Sequence, residues 1–156
     1  MGVEIERKYL VNHEKWKQLN KPEPAYLKQG YIINNDNQVV RVRITDEAGY
    51  LTIKGANKGI SRKEYEYPIP LTDAAELLQS FAASVIEKNR YCISFAGKLW
   101  EVDEFSGDNA GLIVAEIELQ FEEEKFEIPD WVASEVSGDA RYYNSSLSTH
   151  PFSEWV

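Results

Sequence analysis

The sequence has little cysteine, no long apolar run and no excess of positive charge. Cys92 is its one cysteine, so no disulfide can form within the chain, which fits a reducing compartment. No apolar run approaches the length of a membrane-spanning helix, and no signal-peptide pattern opens the chain. A net charge of −9 disfavours non-specific binding to nucleic acid or to an anionic membrane. We therefore expect a cytoplasmic protein with neither nucleic acid nor membrane among its partners.

Composition and turn signals predict one folded domain over residues 1–156, in the α+β class. The chain is 43% hydrophobic and 12% aromatic, which excludes a disordered protein. Extended segments alternate with turns rich in Asn, Asp and Gly, as in antiparallel sheets. The predicted strands are 3–10, 26–34, 38–46, 49–55, 60–69, 88–95, 98–105 and 111–122, and the predicted helices are 12–19, 72–86 and 130–136. Eight strands could close into a barrel, and the alternative is an open, twisted sheet with one polar face.

Charged side chains recur at every second position along most of these strands. Residues two apart on a strand share a face, so each set would line one side of the sheet. The sets are Glu4/Glu6/Lys8, Arg41/Arg43, Thr52/Lys54, Arg62/Glu64/Glu66, Lys88/Arg90, Glu101/Asp103 and Glu116/Glu118. A solvated outer face is the ordinary explanation for any one set. Such a face would mix in Thr, Ser and Gln, however, and the near-total use of charge over seven strands favours a barrel interior.

Charges enclosed in a barrel must be paired or coordinated. An acidic cluster of Glu4, Glu6, Glu116 and Glu118 would suit a hard divalent cation such as Mg²⁺, which prefers oxygen ligands. A basic cluster would suit a polyanion, because Arg binds phosphate through two hydrogen bonds and Lys as a point charge. That cluster comprises Lys8, Arg41, Arg43, Lys54, Lys88 and Arg90. The two clusters together predict a site for a metal–polyphosphate complex.

The same segments resemble the CYTH family, also called triphosphate tunnel metalloenzymes. "EIERKYLV" (4–11) resembles its ExExK signature, and the likeness continues in order almost to the end of the chain. The further matching segments are "QGY" (29–31), "RVR" (41–43), "TIK" (52–54), "SRKEYEYPI" (61–69), "EKNRY" (87–91), "WEVDEF" (100–105), "VAEIEL" (114–119) and "RYYNSSL" (141–147). Small bacterial inorganic triphosphatases are the most similar members. The resemblance implies an eight-stranded antiparallel β-barrel, the triphosphate tunnel, with flanking helices and with Mg²⁺ or Mn²⁺ as cofactor.

The resemblance also implies a role for each charged position. Glu4, Glu6 and Glu118 would bind a first metal with Glu116 beside them, and Glu64, Glu66 and Asp103 are candidates for a second. The phosphate contacts would be Lys8, Arg41, Arg43, Lys54, Lys88 and Arg90, and we add Arg62 from the same face. Tyr31 and Lys54 match a Tyr–Lys pair that helps activate water in some members.

The resulting hypothesis is metal-dependent hydrolysis of the terminal phosphoryl of a triphosphate, with inorganic tripolyphosphate as the expected substrate. Three alternatives stay open at this point. They are adenylate cyclisation of the class IV type, hydrolysis of thiamine triphosphate, and a module that binds polyphosphate without catalysis. A small-molecule triphosphate is the expected partner, and a homodimer is also kept open.

Overall fold

The computed structural model describes residues 2–155, in which nine β-strands, three α-helices and three 3₁₀ helices follow one another. The strands are β1 (Val3–Val11), β2 (Ala25–Asn34), β3 (Gln38–Ile44), β4 (Gly49–Gly55), β5 (Ser61–Ile69), β6 (Val85–Phe95), β7 (Lys98–Phe105), β8 (Ile113–Glu118) and β9 (Val132–Glu135). The α-helices are α1 (His13–Gln18), α2 (Leu71–Phe81) and α3 (Asn144–Leu147), and the 3₁₀ helices are Gly107–Asn109, Ala140–Tyr142 and Phe152–Glu154. Within this part of the chain, no helix has both the length and the apolar character needed to cross a membrane.

Strands β1 to β8 close into an antiparallel barrel. The order is β5-β4-β3-β2-β6-β7-β8-β1, and β1 then returns to β5. Closure is possible because β1 is long enough to use both edges: residues 3–5 pair with β5, and residues 6–10 pair with β8. The β6–β7 hairpin turns at Ala96 and Gly97, both with positive φ as a type I′ turn requires. The predicted eight-stranded barrel is confirmed, and the open-sheet alternative is wrong.

The helix predicted over 130–136 is wrong, because this segment contains the short strand β9. β9 pairs with the second half of β1, at Tyr9↔Glu135 and Val11↔Val132. It lies along the edge of β1 that β5 leaves uncovered after Ile5. Uncovered strand edges carry backbone N–H and C=O groups that need partners. That requirement of the assembled sheet overrides the local helical pattern.

The helix predicted over 72–86 ends earlier, at Phe81. Val85 and Ile86 instead begin β6, where they pair with Gly30 and Gln29 of β2. Both side chains are β-branched, so a strand suits them better than the last turn of a helix. The helix predicted over 12–19 is confirmed as α1, which Asn12 caps by accepting a hydrogen bond from the backbone N–H of Lys15.

Apolar side chains cover two parts of the outer barrel surface. Under α1, the ring of Trp131 lies 5.3 Å from Trp16 and 6.0 Å from Trp100 of β7, measured between centroids. On the other side, Ala74 and Leu78 of α2 pack on Val42 of β3. Because apolar and charged residues alternate along each strand, burying the apolar face outside turns the charged face inward.

A third apolar cluster closes one end of the barrel interior. Its barrel members lie two positions from an interior residue on the same strand, as Val39 does from Arg41 and Val114 from Glu116. Leu147 of α3 completes the cluster from the C-terminal segment and is almost fully buried. The charged cavity therefore has a closed apolar end, and α3 is the element that closes it.

Candidate active site

The inward faces of the barrel strands enclose a cavity of about 240 Å³. It is lined by fourteen of the fifteen residues predicted from the sequence: Glu4, Glu6, Lys8, Tyr31, Arg41, Arg43, Lys54, Arg62, Glu64, Glu66, Lys88, Arg90, Glu116 and Glu118. Glu101 also lines the cavity. The fifteenth, Asp103, lies behind the lining side chains and is 1% exposed.

The acidic wall is built where β1 lies between β5 and β8. Glu6 is opposite Glu118 in the pairing register, and Lys8 is opposite Glu116. Lys8 Nζ donates to Glu116 Oε1 at 3.0 Å and lies 3.5 Å from Glu6 Oε1. Lys54 reaches the same wall from β4, since its Nζ lies 3.4 Å from Glu4 Oε2. Two lysines thus hold the carboxylates of this wall.

The acidic wall carries more negative charge than these lysines compensate. Burial, together with the Glu116 and Glu4 carboxylates, raises the pKa of Glu6 well above its usual range. Burial and the neighbouring Glu4 also raise the pKa of Glu118. Glu118 has no ion-pair partner within 4 Å in residues 2–155. Bound positive charge would relieve this repulsion.

The basic wall lies opposite and comes from β3 and β6. Arg41 Nη2 donates to Thr52 Oγ1 at 3.0 Å and to Glu66 Oε2 at 3.2 Å. Burial lowers the pKa of Lys88, and the nearby Asp103 only partly offsets this because Arg90 is also close. Cations crowded in this way favour a bound anion.

Asp103 lies behind the basic wall and pairs with two of its cations. Lys88 Nζ donates to Asp103 Oδ2 at 2.7 Å, and Arg90 Nε donates to Asp103 Oδ1 at 2.8 Å. Arg90 Nη2 adds a third bond of 3.0 Å to Oδ2. Although burial alone would raise it, these two cations hold the pKa of Asp103 well below its usual range. The predicted metal ligand therefore has its oxygens occupied by Lys88 and Arg90.

Arg43 is an interior guanidinium that is crowded by other cations. In the described part of the chain it has no carboxylate within 4 Å, and its Nε donates to the amide oxygen of Gln29 at 2.9 Å. Burial and the neighbouring Arg41 and Arg90 lower its pKa to about 9. A bound anion would therefore compensate the charge of Arg43.

Taken over its whole lining, the cavity is balanced in charge. Seven glutamates face seven lysines and arginines. The glutamates are Glu4, Glu6, Glu64, Glu66, Glu101, Glu116 and Glu118, and the cations are Lys8, Arg41, Arg43, Lys54, Arg62, Lys88 and Arg90. A ligand of one sign alone would upset this balance, whereas a cation and an anion together would preserve it.

Several lining residues escaped the sequence-based prediction. Ser137, Tyr143, Asn144 and Ser145 reach the cavity from the C-terminal segment. Asn144 Oδ1 accepts a hydrogen bond from Lys88 Nζ at 2.8 Å, which ties α3 to the basic wall. These residues are neutral and follow no strand period. The family-like segment "RYYNSSL" (141–147) contains Tyr143, Asn144 and Ser145, whereas Ser137 lies outside it.

The two predicted catalytic residues occupy different parts of the wall. Lys54 lies against Glu4 and Glu64, at 3.4 and 3.5 Å. Tyr31 belongs to the apolar end cluster, and its hydroxyl accepts a hydrogen bond from Gln29. No hydrogen bond joins Tyr31 to Lys54 among the residues that the structure describes.

Comparison with known proteins agrees with this geometry. The model of the CYTH domain matches residues 2–148. The chain belongs to the CYTH family. An inorganic triphosphatase from Acetivibrio thermocellus is 49% identical over 153 residues, which is 97% of each chain. A second from Nitrosomonas europaea is 34% identical over 150 residues, 94% of this chain and 97% of the relative. A crystal structure of an inorganic triphosphatase superposes with a TM-score of 0.65 at 31% identity, covering 93% of both chains.

Membership in the CYTH family implies a divalent metal cofactor, and the acidic wall fits one. Its donors are carboxylate oxygens, the ligands that hard divalent cations prefer. Burial and the neighbouring carboxylates of Glu116 and Glu4 raise the pKa of Glu6, and a bound cation would oppose that shift. In residues 2–155, no three potential ligands converge closely enough to enclose an ion as the side chains stand. Lys8 and Lys54 pair with three of these carboxylates instead, so a metal ion bound at this wall would have to replace the lysines as their partner.

Proposed function

We propose that this CYTH protein hydrolyses the terminal phosphoryl of inorganic tripolyphosphate, with Mg²⁺ or Mn²⁺ as cofactor. The observation that carries the proposal is the arrangement of charge in one small cavity, where an acidic wall faces a basic wall and the whole lining carries as many glutamates as lysines and arginines together. A metal–triphosphate complex has the matching distribution, since its cation would meet the carboxylates and its phosphates would meet the arginines. The two relatives described as inorganic triphosphatases support the same substrate.

The basic wall would bind and orient the phosphate chain. Arg41 and Arg43 project from neighbouring positions of β3, and Lys88 and Arg90 from β6. Guanidinium groups bind phosphate oxygens through two parallel hydrogen bonds, so they fix direction as well as position. Lys8 and Lys54 would add point charges from other strands, and Arg62 would add a further guanidinium. Because these cations come from several strands, a longer phosphate chain would gain more contacts than a shorter one.

The acidic wall would hold the divalent ion through Glu4, Glu6, Glu116 and Glu118. Glu64 and Glu66 remain our candidates for a second ion, whereas the hydrogen bonds of Asp103 favour a different role for it. A bound divalent cation neutralises charge on phosphoryl oxygens and lowers the pKa of a water molecule that it binds. When the carboxylates turn to the metal, Lys8 and Lys54 would become available to phosphate.

Catalysis would then rest on position and charge. Phosphoryl transfer involves little covalent work by the protein, and its rate depends on holding the nucleophile in line and on stabilising charge at the transferred group. Lys88 would supply that charge beside the closed end of the cavity, and Arg43 would bind the phosphate chain. We propose that Tyr31 and Lys54 contact the reacting phosphoryl group and the water that attacks it.

The lining of the cavity favours an inorganic substrate over the alternatives. Pockets for larger organic ligands commonly measure about 300–1,000 Å³ and are mainly apolar. This cavity is smaller, fourteen of its twenty-three described lining residues are charged, and Tyr31 and Tyr143 are the aromatic ones among them. A nucleotide base or a thiamine ring would find few apolar partners inside. These features weigh against adenylate cyclisation and thiamine triphosphate hydrolysis.

The test is a substrate panel with tripolyphosphate, ATP, thiamine triphosphate and pyrophosphate, each with Mg²⁺, Mn²⁺ or excess chelator. Phosphate release and cyclic AMP are measured separately. We expect the highest kcat/KM for tripolyphosphate and no turnover in chelator. Higher kcat/KM for ATP, or cyclic AMP formation, would favour a nucleotide enzyme. Tight tripolyphosphate binding without any turnover would favour a binding module.

A further inference from the structure

Gln29 is a neutral side chain enclosed behind the charged wall, and both ends of its amide are in use. It is 0% exposed. Its Oε1 accepts a hydrogen bond from Arg43 Nε at 2.9 Å, and its Nε2 donates to the hydroxyl oxygen of Tyr31 at 2.9 Å. Gln29 therefore connects Arg43, which is crowded by other cations, with the tyrosine at the closed end of the cavity.

Chemistry fixes the orientation of this amide. Arg43 can only donate hydrogen bonds, so the group of Gln29 that faces it must be the oxygen. The NH₂ group then faces Tyr31, and it can only donate. A second contact agrees with this assignment, because Nε2 lies 3.5 Å from Asn144 Oδ1, an oxygen that also accepts from Lys88. The donor-to-acceptor direction of the hydrogen bonds in this network, its polarity, is thus fixed by Arg43 and Lys88, which can only donate.

This polarity dictates how Tyr31 can act. Its oxygen accepts from Gln29, and Gln29 Nε2 cannot take the hydroxyl proton in return. The Tyr31 proton is therefore left for a partner other than Gln29, and Tyr31 lines the cavity. A phosphoryl oxygen bound there would be the acceptor.

We propose that Gln29 is a positioning residue that holds the Tyr31 hydroxyl as a hydrogen-bond donor to the transferring phosphoryl group and, through its other end, aligns Arg43. The inference rests on the triphosphatase function proposed above. Gln29 would then have two separate effects. Its Nε2 end acts on the chemical step through Tyr31, and its Oε1 end acts on substrate affinity through Arg43.

The experiment compares Gln29→Met and Gln29→Glu, each in the wild-type and in the Tyr31→Phe background, with Mg²⁺ and tripolyphosphate. Gln29→Met keeps side-chain length and removes both hydrogen bonds, so we expect kcat to fall about tenfold and KM to rise, as for one lost hydrogen bond. Gln29→Glu still accepts from Arg43 but also accepts the Tyr31 proton, so kcat should fall as far as in Tyr31→Phe. In the Tyr31→Phe background neither change should lower kcat by more than about twofold, since coupled residues are not additive. The KM effect of Gln29→Met should persist there.

A matched control is Asn109→Ala. Asn109 is also a buried amide, and its Oδ1 accepts from the backbone N–H of Phe152 away from the charged cavity. This variant should melt earlier while keeping wild-type kcat and KM. Thermal unfolding shows whether each Gln29 variant is folded at the assay temperature, and if Gln29→Met is not, the isosteric Gln29→Glu pair decides.

The outcomes separate the two proposals. A wild-type protein that releases no phosphate from tripolyphosphate overturns the proposed function and this inference with it. An active wild-type protein with unchanged kcat in both Gln29 variants overturns the inference alone. So does an equal fold-loss of kcat with and without the Tyr31 hydroxyl, because that result marks a merely structural role.

Discussion

Replacing Asp103 by asparagine should destabilise the protein in the complete absence of metal. Asp103 is 1% exposed, and its two oxygens accept three hydrogen bonds from Lys88 and Arg90. Asparagine has almost the same shape but offers one oxygen in place of two. In either orientation its NH₂ group would face a donor, which is Nε of Arg90 in one orientation and Nζ of Lys88 with Nη2 of Arg90 in the other.

The magnitude follows from the burial of this group. Removing one partner from a buried ion pair costs about 3–5 kcal/mol, because it leaves the remaining charges uncompensated. At about 2–4 °C per kcal/mol for a chain of this size, Tm should fall by on the order of 6–20 °C. The Lys88 and Arg90 charges hold the pKa of Asp103 well below its usual range. Its contribution is therefore fully present above the unfolded-state pKa of about 3.9 and is lost only as the pH falls through the lower folded-state pKa.

The assay is thermal unfolding at pH 7 in excess chelator and again with Mg²⁺. Glu101→Gln is the matched control, because Glu101 lies two residues away on the same face of β7 and pairs with the same arginine, Arg90, at 3.2 Å. Its side chain is 37% exposed, so this pair should contribute about 0–1 kcal/mol. The two variants thus differ in burial while sharing strand, face and partner.

A different result would support the alternative role of Asp103 as a metal ligand. If it binds a second metal, Asp103→Asn should melt close to wild type in chelator and should lose mainly the stabilisation that Mg²⁺ provides. Observing that pattern would refute the structural role argued from its hydrogen bonds.

Three further predictions concern the cavity lining. Glu118→Gln should leave Tm in chelator unchanged or higher, because it removes a charge whose burial and repulsion from Glu4 raise the pKa of Glu118. The same variant should abolish Mg²⁺-dependent phosphate release. A large loss of Tm without metal would contradict this prediction. Arg43→Ala should lower kcat/KM for tripolyphosphate by roughly 10–100-fold, because the alanine variant removes charge-assisted hydrogen bonds. Arg43→Lys should recover part of this loss. Unchanged kcat/KM in steady-state kinetics would show that phosphate binds elsewhere. Mg²⁺ with tripolyphosphate at a hundredfold excess over Kd should stabilise an inactive Lys54→Ala variant by about 2.7 kcal/mol, or on the order of 5–10 °C. Pyrophosphate should stabilise it less, and equal shifts in thermal unfolding would argue against a site built for triphosphate.

The barrel could be predicted because strand geometry repeats a simple rule. Side chains alternate between faces, so the charged positions of β1 and β3 identify an interior and the apolar ones an exterior. The rule failed beyond β8. Whether residues 132–135 form a strand depends on the open edge of β1, and the position of α3 depends on the apolar end of the finished barrel. Both are consequences of the assembled sheet, which no local pattern records.

The charged residues of the site could be predicted from the sequence, whereas the hydrogen bonds among them could not. Alternation placed Lys88, Arg90 and Asp103 on inward faces, but it could not tell that Asp103 would sit behind the two cations rather than beside them. Gln29 belongs to the family-like segment "QGY", but its role could not be predicted, because a single neutral amide breaks no pattern. Its importance depends on the distances to Arg43 and Tyr31, which sequence spacing does not contain.

The balance of charge in the cavity has a consequence for how ligands bind. A metal ion alone would draw carboxylates from Lys8 and Lys54 and leave both lysines uncompensated. A triphosphate alone would meet the basic wall while the repulsion around Glu6 and Glu118 stayed unrelieved. Each ligand therefore removes a cost that the other would create, and thermodynamic linkage requires that this coupling be equal in both directions. Mg²⁺ should raise the affinity for tripolyphosphate by the same factor by which tripolyphosphate raises the affinity for Mg²⁺.

Titration calorimetry of Lys88→Met, which leaves the carboxylates in place but weakens the basic wall, should show that factor reduced for both ligands. Independent binding of the two ligands in the wild-type protein would mean that the opposed walls do not act as one site.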